Sequence, residues 1–119
     1  MHLTPSMLER AYEYLRSTPP FNGWGLPDAD AVEFRVTGWR KCFGCCEVDE
    51  NDGGAPVISV SQFMCGKSGI LMETMAHEMC HLHEFATASK LKTLPDHGPV
   101  FRRLAAAVCR QHGFDPVTF

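Results

Sequence analysis

The stretch METMAHEMCHLHEFA, residues 72–86, limits what this chain can fold into more than any other feature. It carries three histidines and three glutamates, and it lies in a proline-free segment that predicts a long helix from Ser68, the N-cap, to about Ser89. At 100° per residue, four polar side chains share one stripe of this helix: Glu73, His77, His81 and Glu84. Most other positions are apolar, which is typical of a central, buried helix. The fold must therefore neutralise a buried polar stripe.

Within this stretch, HEMCH is an H-E-x-x-H sequence. His77 and His81 are one helical turn apart, so both imidazoles can reach one tetrahedral Zn²⁺. Glu78 projects to the side, where its carboxylate can act as general base toward a zinc-bound water. A chance match is the alternative interpretation, but two imidazoles without a partner would be costly to bury on an apolar helix. His83 points away from the polar stripe.

A catalytic zinc takes three protein ligands and keeps one position for water. His97 is the favoured third ligand, because the segment between it and His81 contains Pro95 and a polar turn that allow the chain to double back. Glu84 lies a turn beyond His81 and drifts away from such an ion, so Glu84 and Glu73 are better candidates for supporting the histidines. The alternative for DHGP is a capping turn with a solvated His97.

The rest of the pattern predicts an α+β fold. A first helix begins with Thr4 as N-cap and Pro5 at its first position, and a last helix opens at Pro99 and ends at Gly113. Between them, alternating apolar residues from Val32 and again at Val57–Val60 predict a small antiparallel sheet of about three strands. The middle strand is expected near WRKCFGCCEV, and DENDGGAP forms a turn-rich connection. We therefore expect a central H-E-x-x-H helix packed with two or more helices against this sheet.

Length and composition set further bounds. The chain has 119 residues, which predicts one domain over residues 1–119. No signal segment or apolar run of membrane-spanning length is visible, so a soluble, cytoplasmic protein without membrane association is expected. The net charge of −3 argues against strong, whole-domain binding of phosphate backbones but leaves room for a local basic patch.

Six cysteines are expected to be reduced in this compartment. Cys42 and Cys45 form half of a zinc knuckle with no second half, so a turn with partly buried thiols, Cys46 included, is favoured over a second zinc site. Cys80 lies inside the motif but off the polar stripe. It is expected to pack beside the site rather than to bind metal or attack substrate.

The segments HEMCHLHE and HGPVFRRLA together resemble the SprT-like zinc metallopeptidases, a family that includes the Spartan DNA–protein-crosslink proteases. The strong similarity runs from about Leu71 to Leu104. It implies that one zinc ion is bound by His77, His81 and His97 and that Glu78 is catalytic.

The expected function is zinc-dependent hydrolysis of peptide bonds in a protein or peptide substrate, with an extended peptide able to add to the edge of the sheet. The main alternative is a zinc-stabilised, non-catalytic binding or regulatory protein of phage type or associated with DNA. Glu78 favours the enzyme, because a structural zinc needs no general base and normally has four protein ligands.

DNA association is implied by the resemblance and not by the net charge. The C-terminal zinc ribbon of many members is not expected, since this chain stops at Phe119. Substrate and oligomeric state stay open.

Overall fold

The structure, a computed structural model, describes residues 1–48, 54–88 and 97–119. These residues form three α-helices and three strands in the order α1 (Pro5–Arg16), β1 (Glu33–Thr37), β2 (Gly44–Glu47), β3 (Val57–Ser61), α2 (Ser68–Ala88) and α3 (Pro99–His112). Two short 3₁₀ turns, Phe21–Gly23 and Ala29–Ala31, connect α1 to β1. The predicted α+β class is confirmed.

The ends of α1 and α3 follow the predicted capping rules, whereas Ser68, the predicted N-cap of α2, is the first residue inside that helix. The Thr4 hydroxyl accepts a hydrogen bond from the Met7 N–H at 3.2 Å, and Pro5 occupies the first turn of α1. Gly113 ends α3 with a positive φ of 78°, and its N–H donates to the Cys109 carbonyl at 2.8 Å. The predicted helix end at Ser89, most of the DENDGGAP turn and the loop containing Pro95 lie outside the described residues.

The sheet is mixed, with strand order β1, β3, β2. The predicted antiparallel pairing is correct for β2 and β3 but wrong for β1 and β3, which run parallel from Glu33 opposite Val57 to Thr37 opposite Ser61. The middle strand is β3, not the strand within residues 39–48. Burial explains this order, because β3 is buried along nearly its whole length while β1 alternates between exposed and half-buried residues.

Helix α2 is the central element, as predicted. It contacts α1 on one side, α3 on another, and the strands β2 and β3. Its apolar side chains join the core with those of α1 and β3, and the fully buried members include Leu8, Tyr12, Leu15, Ile58, Val60, Met75, Met79 and Cys80. Within the part of the chain that the structure describes, no helix combines the length and apolar character needed to cross a membrane.

Candidate metal centre

Three histidine side chains converge beside α2. The Nε2 atom of His97 lies 3.1 Å from Nε2 of His77 and 3.1 Å from Nε2 of His81. The two helical histidines meet because residues four positions apart lie on the same helix face. In the described part of the chain, these three residues are the only group of three or more possible ligands whose ligand atoms lie within 4.8 Å of one another.

The donor set and its spacing fit a metal ion. Bonds of 2.0–2.1 Å to a tetrahedral zinc would hold two ligand nitrogens about 3.3 Å apart, close to the separations seen here. A single shared proton can link only two imidazole nitrogens, whereas a cation at the centre engages all three lone pairs. Imidazole ligands suit zinc and several other transition metals. The three histidines can therefore hold a metal ion.

His97 reaches this position through an unusual backbone conformation. Its φ of 56° lies in the left-handed region, and it is the only described non-glycine residue with a positive φ. Histidine is among the non-glycine residues enriched there, although the conformation costs on the order of 1–2 kcal/mol. The Arg102 side chain donates from Nε to the His97 carbonyl at 3.2 Å, which helps to hold the turn in place. Gly98 and Pro99 then lead directly into α3.

Phe101 packs against all three histidine rings. Its centroid lies 4.4 Å from that of His81, 4.7 Å from that of His97 and 4.9 Å from that of His77. Phe101 is only 3% exposed, so the ring fills the space between α3 and the histidines. This packing limits the rotations available to the three imidazoles. The sequence analysis did not reveal that Phe101 touches the site.

The glutamates and the fourth histidine of α2 have separate positions. Glu84 Oε1 lies 3.7 Å from Nδ1 of His81, on the ring edge opposite the nitrogen that points to His97. The carboxylate of Glu73 instead accepts a hydrogen bond from the Thr118 hydroxyl at 3.4 Å. His83 stacks on Trp24 at 4.5 Å and does not join the three-histidine group, as predicted. Burial lowers the pKa of His83.

Glu78 lies on the sheet side of α2. The residue is only 6% exposed, and its Oε2 would be 3.3 Å from a Cβ atom built on Gly44 of β2. That Cβ would also lie 2.9 Å from the Ser59 carbonyl oxygen and 3.0 Å from Cγ2 of Thr74. There is no room for a side chain at Gly44, so the missing Cβ lets β2 approach the Glu78 carboxylate closely.

A cleft of about 560 Å³ opens over this region. It is lined by Cys42, Phe43, Gly44, Ile70, Glu73, Thr74, His77, Glu78, His97, Thr118 and Phe119. Phe119 also contacts the His77 ring, with centroids 5.3 Å apart. The sequence did not predict that the start of β2 and residues 118–119 would line the site. Both are distant from the motif along the chain, and only the sheet order and the path after α3 bring them to it.

The cysteines are all free thiols and none belongs to the three-histidine group. Burial is the largest cause of the raised pKa of Cys80, which packs beside the site as predicted. Burial, followed by the Glu78 carboxylate, also raises the pKa of Cys46. Cys42 is exposed at the cleft. In the described residues, Cys42 and Cys45 form no second group of metal ligands.

These features define a metallopeptidase-like domain: a helix with two histidines and a buried glutamate, a third histidine from a following turn, and a cleft bounded by a strand. The family model described as SprT-like matches residues 11–118. The protein belongs to the SprT-like family, so the resemblance seen in the sequence is confirmed, and it extends well beyond Leu71–Leu104. A search of curated proteins finds no match to this chain.

Proposed function

We propose that this protein is a zinc-dependent metallopeptidase that hydrolyses peptide bonds of a protein substrate. The observation that carries the proposal is the convergence of three histidine Nε2 atoms, with two of these histidines, His77 and His97, lining the same cleft as Glu78. Membership of the SprT-like family supports it. His77, His81 and His97 would hold the zinc, and Glu78 would be the general base.

The number of ligands favours a catalytic over a structural ion. Structural zinc sites normally have four protein ligands, whereas catalytic sites have three and an open position. The group found within the described residues has three members, and two of them, His77 and His97, line a cleft. When bound, zinc supplies Lewis acidity that lowers the pKa of water and polarises a carbonyl group.

The chain's own residues supply the remaining steps. Glu78 is held against β2, where its carboxylate can take a proton from the attacking water and later give it to the leaving amine. An extended peptide can reach the site along β2, because this strand pairs with β3 on one side and with no described strand on the other. Phe43, Ile70 and Phe119 would contact apolar side chains of the peptide.

The first test combines zinc analysis with proteolysis of denatured casein by the wild type and three variants. Glu78→Gln should keep one zinc per chain and lose activity by 10²–10⁴-fold, since it removes only the proton acceptor. His97→Ala should lose both zinc and activity. His83→Gln is the matched control, because His83 lies on the same helix but stacks on Trp24; it should keep both.

The other outcomes separate the rival functions. Zinc-dependent cleavage that persists unchanged in Glu78→Gln would contradict the assigned role of Glu78. Tight zinc binding with sulfur coordination and no cleavage would favour the non-catalytic binding protein. X-ray absorption on the zinc-loaded chain distinguishes sulfur from nitrogen ligands and reports whether a nitrogen is lost in His97→Ala.

A further inference from the structure

Two loops lie side by side where β3 ends and β2 begins. The Ser61 hydroxyl donates to the Trp39 carbonyl at 2.5 Å, and the Ser61 N–H donates to the Phe43 carbonyl at 2.8 Å. The Cys65 thiol, 3.6 Å away, donates to the same Phe43 carbonyl. The loop before β2 is therefore tied to the turn after β3, and we call residues 39–43 and 63–67 together the rim.

The rim is positively charged in a protein whose net charge is −3. It carries Arg40, Lys41 and Lys67, all exposed, while residues 38–46 and 61–72 contain no aspartate or glutamate. None of these three cations forms an ion pair with a carboxylate among the described residues. Within the described residues, no carboxylate neutralises these charges.

Exposed aromatic side chains accompany these cations. Trp39, Phe43 and Phe63 are 39%, 47% and 56% exposed. The Arg40 guanidinium lies 4.5 Å from the centroid of the Phe63 ring, an arrangement that holds the cation over the ring face. Aromatic residues and arginine are enriched where proteins bind other proteins, so three exposed rings on two adjoining loops that also carry Arg40 favour a binding surface.

The rim continues directly into the cleft. Phe43 belongs to both, and Lys67 lies one helical turn before Ile70 of the cleft wall. Glu73, which also lines the cleft, accepts a hydrogen bond from the Thr118 hydroxyl. A chain that leaves the cleft past Phe43 would therefore meet the rim cations.

We propose that the rim binds an acidic segment of the protein substrate, next to the peptide bond that is cleaved. This inference rests on the proposed peptidase function, and it adds the substrate class: polypeptides with aspartate or glutamate residues on one side of the cleavage site. The cations provide charge complementarity, and the rings pack against the stems of the acidic side chains. Single-stranded nucleic acid is the competing ligand, since it also uses cations and exposed rings.

The test measures binding, so it does not depend on catalysis. The zinc-loaded 119-residue chain is titrated into a fluorescein-labelled glutamate-rich peptide, its glutamine and lysine counterparts of the same length, and a labelled single-stranded oligonucleotide. The rim variant Arg40→Gln, Lys41→Gln, Lys67→Gln is compared with Arg10→Gln, Arg103→Gln, Arg110→Gln. The control removes the same charge from exposed positions on α1 and α3.

We expect the glutamate-rich peptide to bind tighter than the other two peptides. The rim variant should weaken its binding roughly tenfold, since each exposed ion pair changes affinity by up to a few-fold, and the control should change it less than twofold. The preference should shrink when the ionic strength rises above about 0.15 M. Circular dichroism and zinc content of both variants confirm that they are folded.

Equal binding of the three peptides would overturn the inference, and so would equal losses in the rim and control variants. Tighter binding of the oligonucleotide, lost in the same rim variant, would also overturn it and assign the rim to nucleic acid. The proposed function fails separately, because acidic-peptide binding can persist in a protein that cleaves nothing. Conversely, zinc-dependent cleavage without a preference for acidic peptides would support the peptidase function and contradict only the proposed role of the rim.

Discussion

The two sides of α2 support the site in opposite ways. Toward α3, a large side chain fills the space: Phe101 packs against the rings of His77, His81 and His97. Toward the sheet, the absence of a side chain creates the fit, since Gly44 leaves β2 free to approach Glu78. The arrangement of the three histidines thus depends on an added side chain, and the position of Glu78, the proposed general base, depends on a missing one.

Because of this difference, metal binding and proton transfer should be separable by substitution. Metal binding should respond to changes on the α3 side, and proton transfer should respond to changes on the strand side. Each side therefore has a substitution that tests it, and the comparison fails if either substitution affects both properties equally.

The largest effect is expected from Phe101→Ala. Removing a buried phenylalanine should lower the free energy of unfolding by about 3–5 kcal/mol, and the released histidine rings should bind zinc more weakly. Thermal or urea unfolding of the metal-free chain measures the first, and competition with a zinc chelator measures the second. Because domains of this size are stable by only about 5–15 kcal/mol, Phe101→Leu provides the milder variant.

Phe101→Leu should cost less stability than Phe101→Ala, because it leaves a smaller cavity, and it should fold normally. It keeps most of the apolar volume but loses the flat ring against the imidazoles. Weaker zinc binding in this variant, without a large loss of stability, would support ring packing as the cause. Unchanged zinc affinity in both variants would show that the ligands are held without Phe101.

The next effect is expected from Gly44→Ala. The new methyl group would lie 2.9 Å from the Ser59 carbonyl and 3.3 Å from Glu78 Oε2, so overpacking should cost about 1–3 kcal/mol. The strand or the carboxylate must move, and kcat should fall while zinc content stays at the wild-type level. Proteolysis rates and metal analysis on the same sample measure both.

Two further variants isolate the cause. Thr74→Ser removes Cγ2, which would lie 3.0 Å from the new methyl group, and keeps the hydroxyl that accepts from Cys65. In combination with Gly44→Ala, it should restore part of kcat. Gly66→Ala is the control, since a Cβ there meets nothing within 4 Å. Zinc loss in Gly44→Ala equal to its loss of kcat would contradict the separation of the two sides.

The sequence predicts the α3 side better than the strand side. Helical spacing alone places His77 and His81 together, and capping residues locate α1 and α3. Such local signals depend on neighbours within one or two turns. The parallel pairing of β1 with β3 is not local, because β2 lies between these two strands in the sequence. The prediction of a wholly antiparallel sheet was wrong there.

The role of Gly44 could not be predicted for the same reason. A glycine between Phe43 and Cys45 resembles any turn glycine until β2 is known to lie at the sheet edge beside α2. Phe119 and Thr118 reach the cleft only through the path of the chain after α3. In contrast, the placement of His97 was suggested by the proline and polar turn before it, although its left-handed backbone was not.

The smallest effect is expected from Glu84→Gln, which tests a carboxylate that α2 itself places beside His81. Glu84 Oε1 lies 3.7 Å from His81 Nδ1, and both side chains are about 90% buried, with 9% and 10% exposed. A carboxylate behind a ligating imidazole raises its basicity, so the amide should weaken zinc binding by about 10-fold.

Glu73→Gln is the matched control on the same stripe, because the Glu73 carboxylate accepts a hydrogen bond from Thr118 instead. It should change zinc affinity less than twofold. Chelator competition at one pH compares the two. Equal losses would mean that the net negative charge near the site, and not the contact with His81, sets the zinc affinity. The arrangement of the three histidines would then depend on ring packing alone.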